Sequence, residues 1–264
     1  MGGFLIFMAL TAIMGLSIFL SLPVVYSRRA RGRWSIALNA VAIGILVFLL
    51  ADVFSDVAPI LYPDGYIADL DLSALFCVAF LAAFVGLLAI DFAPRRSSSA
   101  TSGADDPPAD LNPRRTALII ATGIGLQNLT EGLVFGANWT AGAVGVVAVV
   151  FVGFLLQNVT EGFPIASPFL GPGGTRRLPT MAALFLIGGL PTLLGGAIGY
   201  WWSSNLFLVA FDALAIGAIA YVILPMLRVA FRPLETREIS IARDRMVYLG
   251  VMAGFLLGFA VNAV

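Results

Sequence analysis

Two long apolar segments follow each other closely in this chain: TALIIATGIGLQNLTEGLVFGAN at residues 116–138 and GAVGVVAVVFVGFLLQNVTEGFPIASPFL at residues 142–170. Each contains a nearly identical heptapeptide, LQNLTEG at 126–132 and LQNVTEG at 156–162, and we call these two heptapeptides the twin motifs. A charged side chain at the centre of a bilayer costs roughly 2.5 kcal/mol or more, so a glutamate in such a segment usually serves a function. The twin motifs therefore indicate a functional site.

The composition is that of an integral membrane protein. Hydrophobic residues make up 60% of the chain and charged residues 11%, whereas soluble domains carry about 25% charge. Apolar runs of about 20 residues, long enough to cross a ~30 Å hydrocarbon core, predict an all-α protein with eight transmembrane helices. The predicted spans are residues 3–26, 34–57, 70–92, 116–138, 142–170, 179–202, 205–230 and 246–263. The single cysteine, Cys77, excludes an internal disulfide and a cysteine-cluster metal site.

The basic residues predict how the spans are oriented. All 15 are arginines, and they occur only at 28–33, 95–115, 176–177 and 228–245, after spans one, three, five and seven. The positive-inside rule places these connections in the cytoplasm. Both termini are then extracytoplasmic, which requires an even number of spans and agrees with eight.

Residues 95–115 are predicted to be a flexible cytoplasmic linker. They include SSSATSGADDPP at 97–108, a small, polar and proline-bearing sequence. The linker separates three spans from five, a 3+5 arrangement within one transmembrane domain of residues 1–264. The connection between spans four and five, near Thr140, is so short that these two spans must be antiparallel neighbours, and the twin motifs must face each other.

The spacing inside each twin motif predicts a metal site. The glutamine lies four residues and the asparagine three residues before the glutamate, so all three side chains can project from one stripe of a helix. Two facing stripes combine two carboxylates with up to four amide oxygens, a ligand set that hard or borderline divalent cations accept. The predicted ligands are Gln127, Asn128, Glu131, Gln157, Asn158 and Glu161.

Other residues support or extend this site. Pro164 removes a helical hydrogen bond from the Thr160 carbonyl, beside the second glutamate. Asp52 and Asp56 lie four residues apart near the outer end of span two, where acidic residues would concentrate cations. We include Asp52, the deeper of the two, among the metal-binding residues; for Asp56 an ordinary solvated helix end is an equal alternative. Asp212 in span seven is a further candidate.

These features together resemble the ZIP family of divalent metal transporters, and most closely its GufA-type prokaryotic branch. The shared features are eight spans with external termini, a polar linker after span three and paired amide-Asn-x-x-Glu-Gly motifs. The resemblance implies transport of divalent cations toward the cytoplasm across a prokaryotic plasma membrane by a homodimer. Zinc is the implied ion, with manganese, iron, cadmium and magnesium as alternatives. The implied ligands are Gln127, Glu131, Gln157 and Glu161 for one metal, and Asn128 and Asn158 with the same two glutamates for a second.

The chain also departs from the ZIP pattern. Gln127 stands where the family has a histidine, and Thr130 and Thr160 replace prolines. Leu190 occupies a position in span six that is often glutamate, and Leu224-Pro225-Met226 replaces acidic residues late in span seven. One half of a two-metal centre is therefore expected to be weakened, and zinc is less favoured because it prefers nitrogen and sulfur ligands.

Other function classes remain open from the sequence. The chain could be a metal-binding sensor or a degenerate homologue that does not transport, or the two glutamates could be structural and hydrogen-bonded across spans four and five. An intramembrane hydrolase is the least favoured class, since the chain lacks a His-Glu-x-x-His motif and any nucleophile beside the glutamates. We predict that the protein is not an enzyme and that its partners are metal ions and lipid, not nucleic acid.

Overall fold

The computed structural model describes residues 2–27, 33–67, 69–92, 113–142, 144–170, 177–202, 204–231 and 237–262. Within these ranges the chain is 92% helical and contains no strand. The α-helices are α1 (Gly2–Leu16), α2 (Leu22–Tyr26), α3 (Arg33–Leu61), α4 (Leu70–Phe92), α5 (Pro113–Thr140), α6 (Val144–Ala166), α7 (Leu178–Gly189), α8 (Pro191–Trp201), α9 (Asn205–Ala230) and α10 (Arg237–Asn262).

The described helices identify a multi-pass membrane protein. Six helical stretches are long and apolar enough to cross a membrane by length and composition. They are Gly3–Tyr26, Ile36–Leu61, Leu70–Phe92, Pro113–Thr140, Leu178–Trp201 and Asn205–Arg228. The first stretch joins α1 and α2 through the 3-10 helix Ser17–Ser21, and the fifth joins α7 and α8 through Leu190.

Helix ends differ from the predicted spans mainly where polar residues continue a helix. The last helix, α10, begins at Arg237 rather than at residue 246, since a helix can extend past the apolar segment into charged residues. The helix α5 begins at Pro113, so the last three residues of the predicted linker 95–115 are helical. Proline suits this position because the first helical N–H has no intrahelical acceptor. Residues 95–112 of the linker lie outside the described part of the chain.

Glycines let α5 and α8 pack backbone to backbone. A Cβ atom added to Gly132 would lie 2.1 Å from the Thr192 carbonyl oxygen, and one added to Gly136 would lie 2.5 Å from that of Gly196. Small residues commonly permit such close approach between membrane helices. The contacting residues on α5 and on α8 both increase in number along the interface, so these two helices run parallel.

The helices form two groups that meet along α5 and α9, and α6 also contacts α3 and α10. One group contains α1, α2 and α5 to α8, and the other pairs α3 with α10 and α4 with α9. In the second group, a Cβ on Gly254 would lie 2.0 Å from the Val41 carbonyl oxygen, and a Cβ on Gly258 would lie 2.7 Å from the Phe48 ring. These contacts make α3 and α10 parallel as well. The twin motifs belong to the first group.

A polar contact joins α4, α5 and α9 at one end of the bundle. The Tyr221 hydroxyl donates to Asp91 Oδ2 at 2.5 Å, and Arg115 Nε lies 3.7 Å from Asp91 Oδ1. Arg115 also donates to the Ile90 carbonyl oxygen. This contact links the two groups of helices at the end opposite to the α5–α6 connection.

Candidate metal centre

The twin motifs come together because a tight turn folds α6 back against α5. The turn at Ala141 and Gly142 contains a left-handed backbone, with φ +71° at Gly142, which glycine adopts without steric cost. The six predicted motif ligands are at most 5% exposed. They are Gln127, Asn128, Glu131, Gln157, Asn158 and Glu161.

Glu131 accepts hydrogen bonds from amides on both helices. Gln127 Nε2 on α5 donates to Glu131 Oε1 at 3.1 Å, and Gln157 Nε2 on α6 donates to the same oxygen at 2.6 Å. Asn158 Nδ2 donates to Glu131 Oε2 at 3.1 Å and to the Phe154 carbonyl oxygen at 2.9 Å. The carboxylate of one motif is thus held largely by the amides of the other.

Glu161 has the reciprocal arrangement. Asn128 Nδ2 on α5 donates to Glu161 Oε2 at 2.9 Å and also to the Gly188 carbonyl oxygen at 2.9 Å. Each asparagine therefore connects its own helix to the glutamate of the facing helix. The site is a crossed pair of amide–carboxylate contacts between two antiparallel helices.

The same arrangement leaves several buried oxygens without a donor. Within the described part of the chain, four buried oxygens of the site have no hydrogen-bond partner: Gln127 Oε1, Asn128 Oδ1, Asn158 Oδ1 and Glu161 Oε1. Buried polar atoms in proteins are normally paired, and unpaired ones are costly. A cation is the ligand that such a set of oxygens suits.

The interrupted helix α7–α8 adds a backbone carbonyl that sequence reasoning did not identify. Pro191 has no N–H, so the Ile187 carbonyl four residues earlier loses its helical donor. The neighbouring Gly188 carbonyl accepts from Asn128 Nδ2. The C-terminal end of a helix carries partial negative charge, and broken membrane helices use such ends to hold cations. In the sequence, the Gly188-Gly189 pair shortly before Pro191 was the signal that could have pointed to this carbonyl.

The start of α8 packs tightly beside Glu131. A Cβ atom on Gly132 would lie 2.1 Å from the Thr192 carbonyl oxygen and 2.7 Å from the Gly196 nitrogen. Thr192 is fully buried, and its hydroxyl oxygen has no hydrogen-bond partner in the described ranges. Glycine at position 132 is therefore required for the broken helix to approach the site.

Asp52 lies on α3, a helix that packs against α6. Its side chain is half-buried, and its charge acts on Glu131, whereas Asp56 one turn later is exposed.

The described residues contain no group of three or more histidine, cysteine, aspartate or glutamate side chains arranged to hold one ion. A metal at this centre would therefore have two carboxylates, Glu131 and Glu161, supplemented by amide oxygens.

Two positions where the ZIP resemblance leads us to expect acidic residues face outward. Leu190 is 45% exposed and Leu224 is 44% exposed. Met226, the third residue of the Leu224-Pro225-Met226 stretch, is buried instead. In comparisons with known proteins, the sequence matches no family model and no curated protein. The resemblance to the ZIP family therefore rests on the twin motifs and the predicted topology.

Proposed function

We propose that this protein is a ZIP-like transporter that moves divalent metal cations toward the cytoplasm through the centre between α5 and α6. The observation that supports this most is that three buried amide oxygens and one oxygen of the two buried glutamates have no hydrogen-bond donor in the described part of the chain. Ionisable residues inside a membrane bundle commonly mark ion pathways. Two carboxylates also match the charge of one divalent ion.

Helix directions support the eight-span topology that this proposal needs. A chain that crosses the membrane back and forth makes spans four and six, here α5 and α7–α8, run parallel. It likewise makes spans two and eight, here α3 and α10, run parallel. The contacts of α5 with α8 and of α3 with α10 have these directions. Arginines lie at the starts of α3, α5 and α10 and in the last turn of α9. By the positive-inside rule this distribution supports our proposal that these ends are cytoplasmic and that both termini are outside.

The donor atoms bear on which ion is carried. The chain has no histidine, and the centre offers carboxylate, amide and backbone carbonyl oxygens. Oxygen ligands suit magnesium and manganese, while zinc favours nitrogen and sulfur. We therefore propose manganese and magnesium as substrates alongside zinc, the ion implied by the family resemblance, with iron and cadmium as further alternatives. A homodimer in a prokaryotic plasma membrane completes the proposal.

Uptake into proteoliposomes tests the function directly. Purified protein is reconstituted, and entry of Mn²⁺ and Zn²⁺ is measured for the wild type, Glu131→Ala, Glu161→Ala and the exposed control Asp71→Asn. Each glutamate variant should lose nearly all uptake yet elute as a folded protein, because an apolar replacement is tolerated in lipid. The control should transport normally.

The outcomes also separate the alternatives. Wild-type uptake in either glutamate variant would exclude the proposed centre. Metal binding by the wild type without uptake would instead identify a sensor or a non-transporting homologue. Empty liposomes and liposomes with heat-denatured protein provide the background rate.

A further inference from the structure

Asp212 is a buried carboxylate that the proposed centre does not use. It lies on α9, where the two groups of helices meet, and is 2% exposed. Its Oδ1 atom has no hydrogen-bond partner in the described part of the chain. A buried, unpaired acidic oxygen inside a membrane bundle is costly and is usually retained for a function.

Two neighbouring side chains face Asp212 from other helices. Thr130 on α5 lies near Asp212, because the antiparallel contact of Gly123 with Ala218 continues along α5 and α9 to these two residues. The Thr130 hydroxyl donates to the Leu126 carbonyl oxygen at 3.4 Å, which leaves its oxygen able to accept or to bind a cation. Asp56 on α3 lies beside the same part of α9, since the adjacent Val57 packs in one apolar cluster with Val209 and Ile216. Thr130 directly precedes Glu131, so Asp212 is adjacent along α5 to the twin-motif centre.

The acidic residues lie at graded depths from the same end of the bundle. The contact of Thr130 with Asp212 and the antiparallel α5–α6 pair bring the ends of α3 and α5 together with the starts of α6 and α9. At 1.5 Å per residue, Asp56 lies about 8 Å from the end of α3, Asp212 about 10 Å from the start of α9 and Glu131 about 14 Å from the end of α5. Asp56, nearest to this end, is exposed, whereas Asp212 and Glu131 are buried.

We propose that Asp212, Asp56 and the Thr130 hydroxyl form a second cation-binding position on the outer approach to the Glu131–Glu161 centre. The ligand class is a partly hydrated divalent cation, since two carboxylates and one hydroxyl leave several coordination positions for water. Its role as an approach site rests on the proposed function, but cation binding at this position can be measured separately.

Mn²⁺ binding to purified full-length protein tests this position, because unbound Mn²⁺ can be counted by electron paramagnetic resonance. The starting variant is Glu131→Gln with Glu161→Gln, which should lose the tighter binding and retain one weaker Mn²⁺ ion. Adding Asp212→Asn should raise the dissociation constant of that weaker ion at least about tenfold, because even the loss of a residue that only orients a metal ligand costs about that much. Adding Asp71→Asn, on the exposed first turn of α4, should leave it unchanged.

Each outcome bears on one proposal or the other. No residual Mn²⁺ in the double glutamine variant, or residual binding that survives Asp212→Asn, would overturn the second position. Tight binding that persists in the double glutamine variant would instead overturn the proposed centre, while a loss on adding Asp212→Asn would still support the second position. If the Asp212→Asn protein fails to fold, Asp56→Asn takes its place: it alters an exposed side chain and should also weaken the residual site.

Discussion

A double-mutant cycle on Asn128 and Glu161 tests whether the crossed contacts between α5 and α6 hold the centre together. Asn128→Ala removes two hydrogen bonds, one to Glu161 Oε2 and one to the Gly188 carbonyl oxygen, both 2.9 Å long. Glu161→Ala removes only the first acceptor. The unpaired Gly188 carbonyl is present with and without Glu161, so its cost cancels in the cycle and the coupling energy reports the amide–carboxylate bond.

The size of the coupling follows from two opposing effects. Hydrogen bonds to charged groups contribute about 1.5–3 kcal/mol in soluble proteins. Bonds between membrane helices average about 0.6 kcal/mol and reach about 1.7, because the unfolded chain in lipid also finds partners. A buried carboxylate acceptor belongs at the upper end of the membrane range, so we expect a coupling energy of about 1–2 kcal/mol.

Reversible unfolding in mixed micelles, followed by tryptophan fluorescence, provides the measurement. The four proteins are unfolded with increasing denaturing detergent in the presence of a chelator, so that bound metal does not contribute. A coupling energy below about 0.5 kcal/mol, the usual deviation from additivity for independent sites, would refute the contact. Repeating the cycle with saturating Mn²⁺ should enlarge the coupling if both side chains hold the ion.

Three further changes give separate expectations. Gly132→Ala should lower the free energy of unfolding by about 1–3 kcal/mol, since α8 backbone atoms occupy the space of the added methyl, whereas the matched control Gly153→Ala, with no atom within 4 Å, should not destabilise the protein. Gln127→His should raise the preference for Zn²⁺ over Mn²⁺ in competitive uptake, because it supplies a nitrogen ligand, and an unchanged order would mean that Gln127 does not contact the metal. Tyr221→Phe removes the donor to Asp91 and should lower the free energy of unfolding by about 1 kcal/mol in the same unfolding assay; unaltered stability would show that this bond contributes nothing.

The sequence by itself determined the local features of this protein. Apolar run lengths predicted helices, and the structure confirms an all-helical membrane protein because such runs cannot satisfy their backbone groups in lipid by other means. The short connection near Thr140 also predicted that the twin motifs face each other, and the hydrogen bonds from Asn128 to Glu161 and from Asn158 to Glu131 agree with this expectation. These features depend on residues close together in the chain.

Only the tertiary structure decided which distant residues join the centre. Gly188 contributes a carbonyl because Pro191 interrupts its helix and because glycines in α5 allow that helix to approach closely. Asp212 meets Thr130 because α9 packs along α5 between the two groups of helices. Helical periodicity specifies which face of a helix is buried, but not which of several apolar neighbours covers it. That choice depends on side-chain shape summed over the whole interface, and no single segment of the sequence contains it.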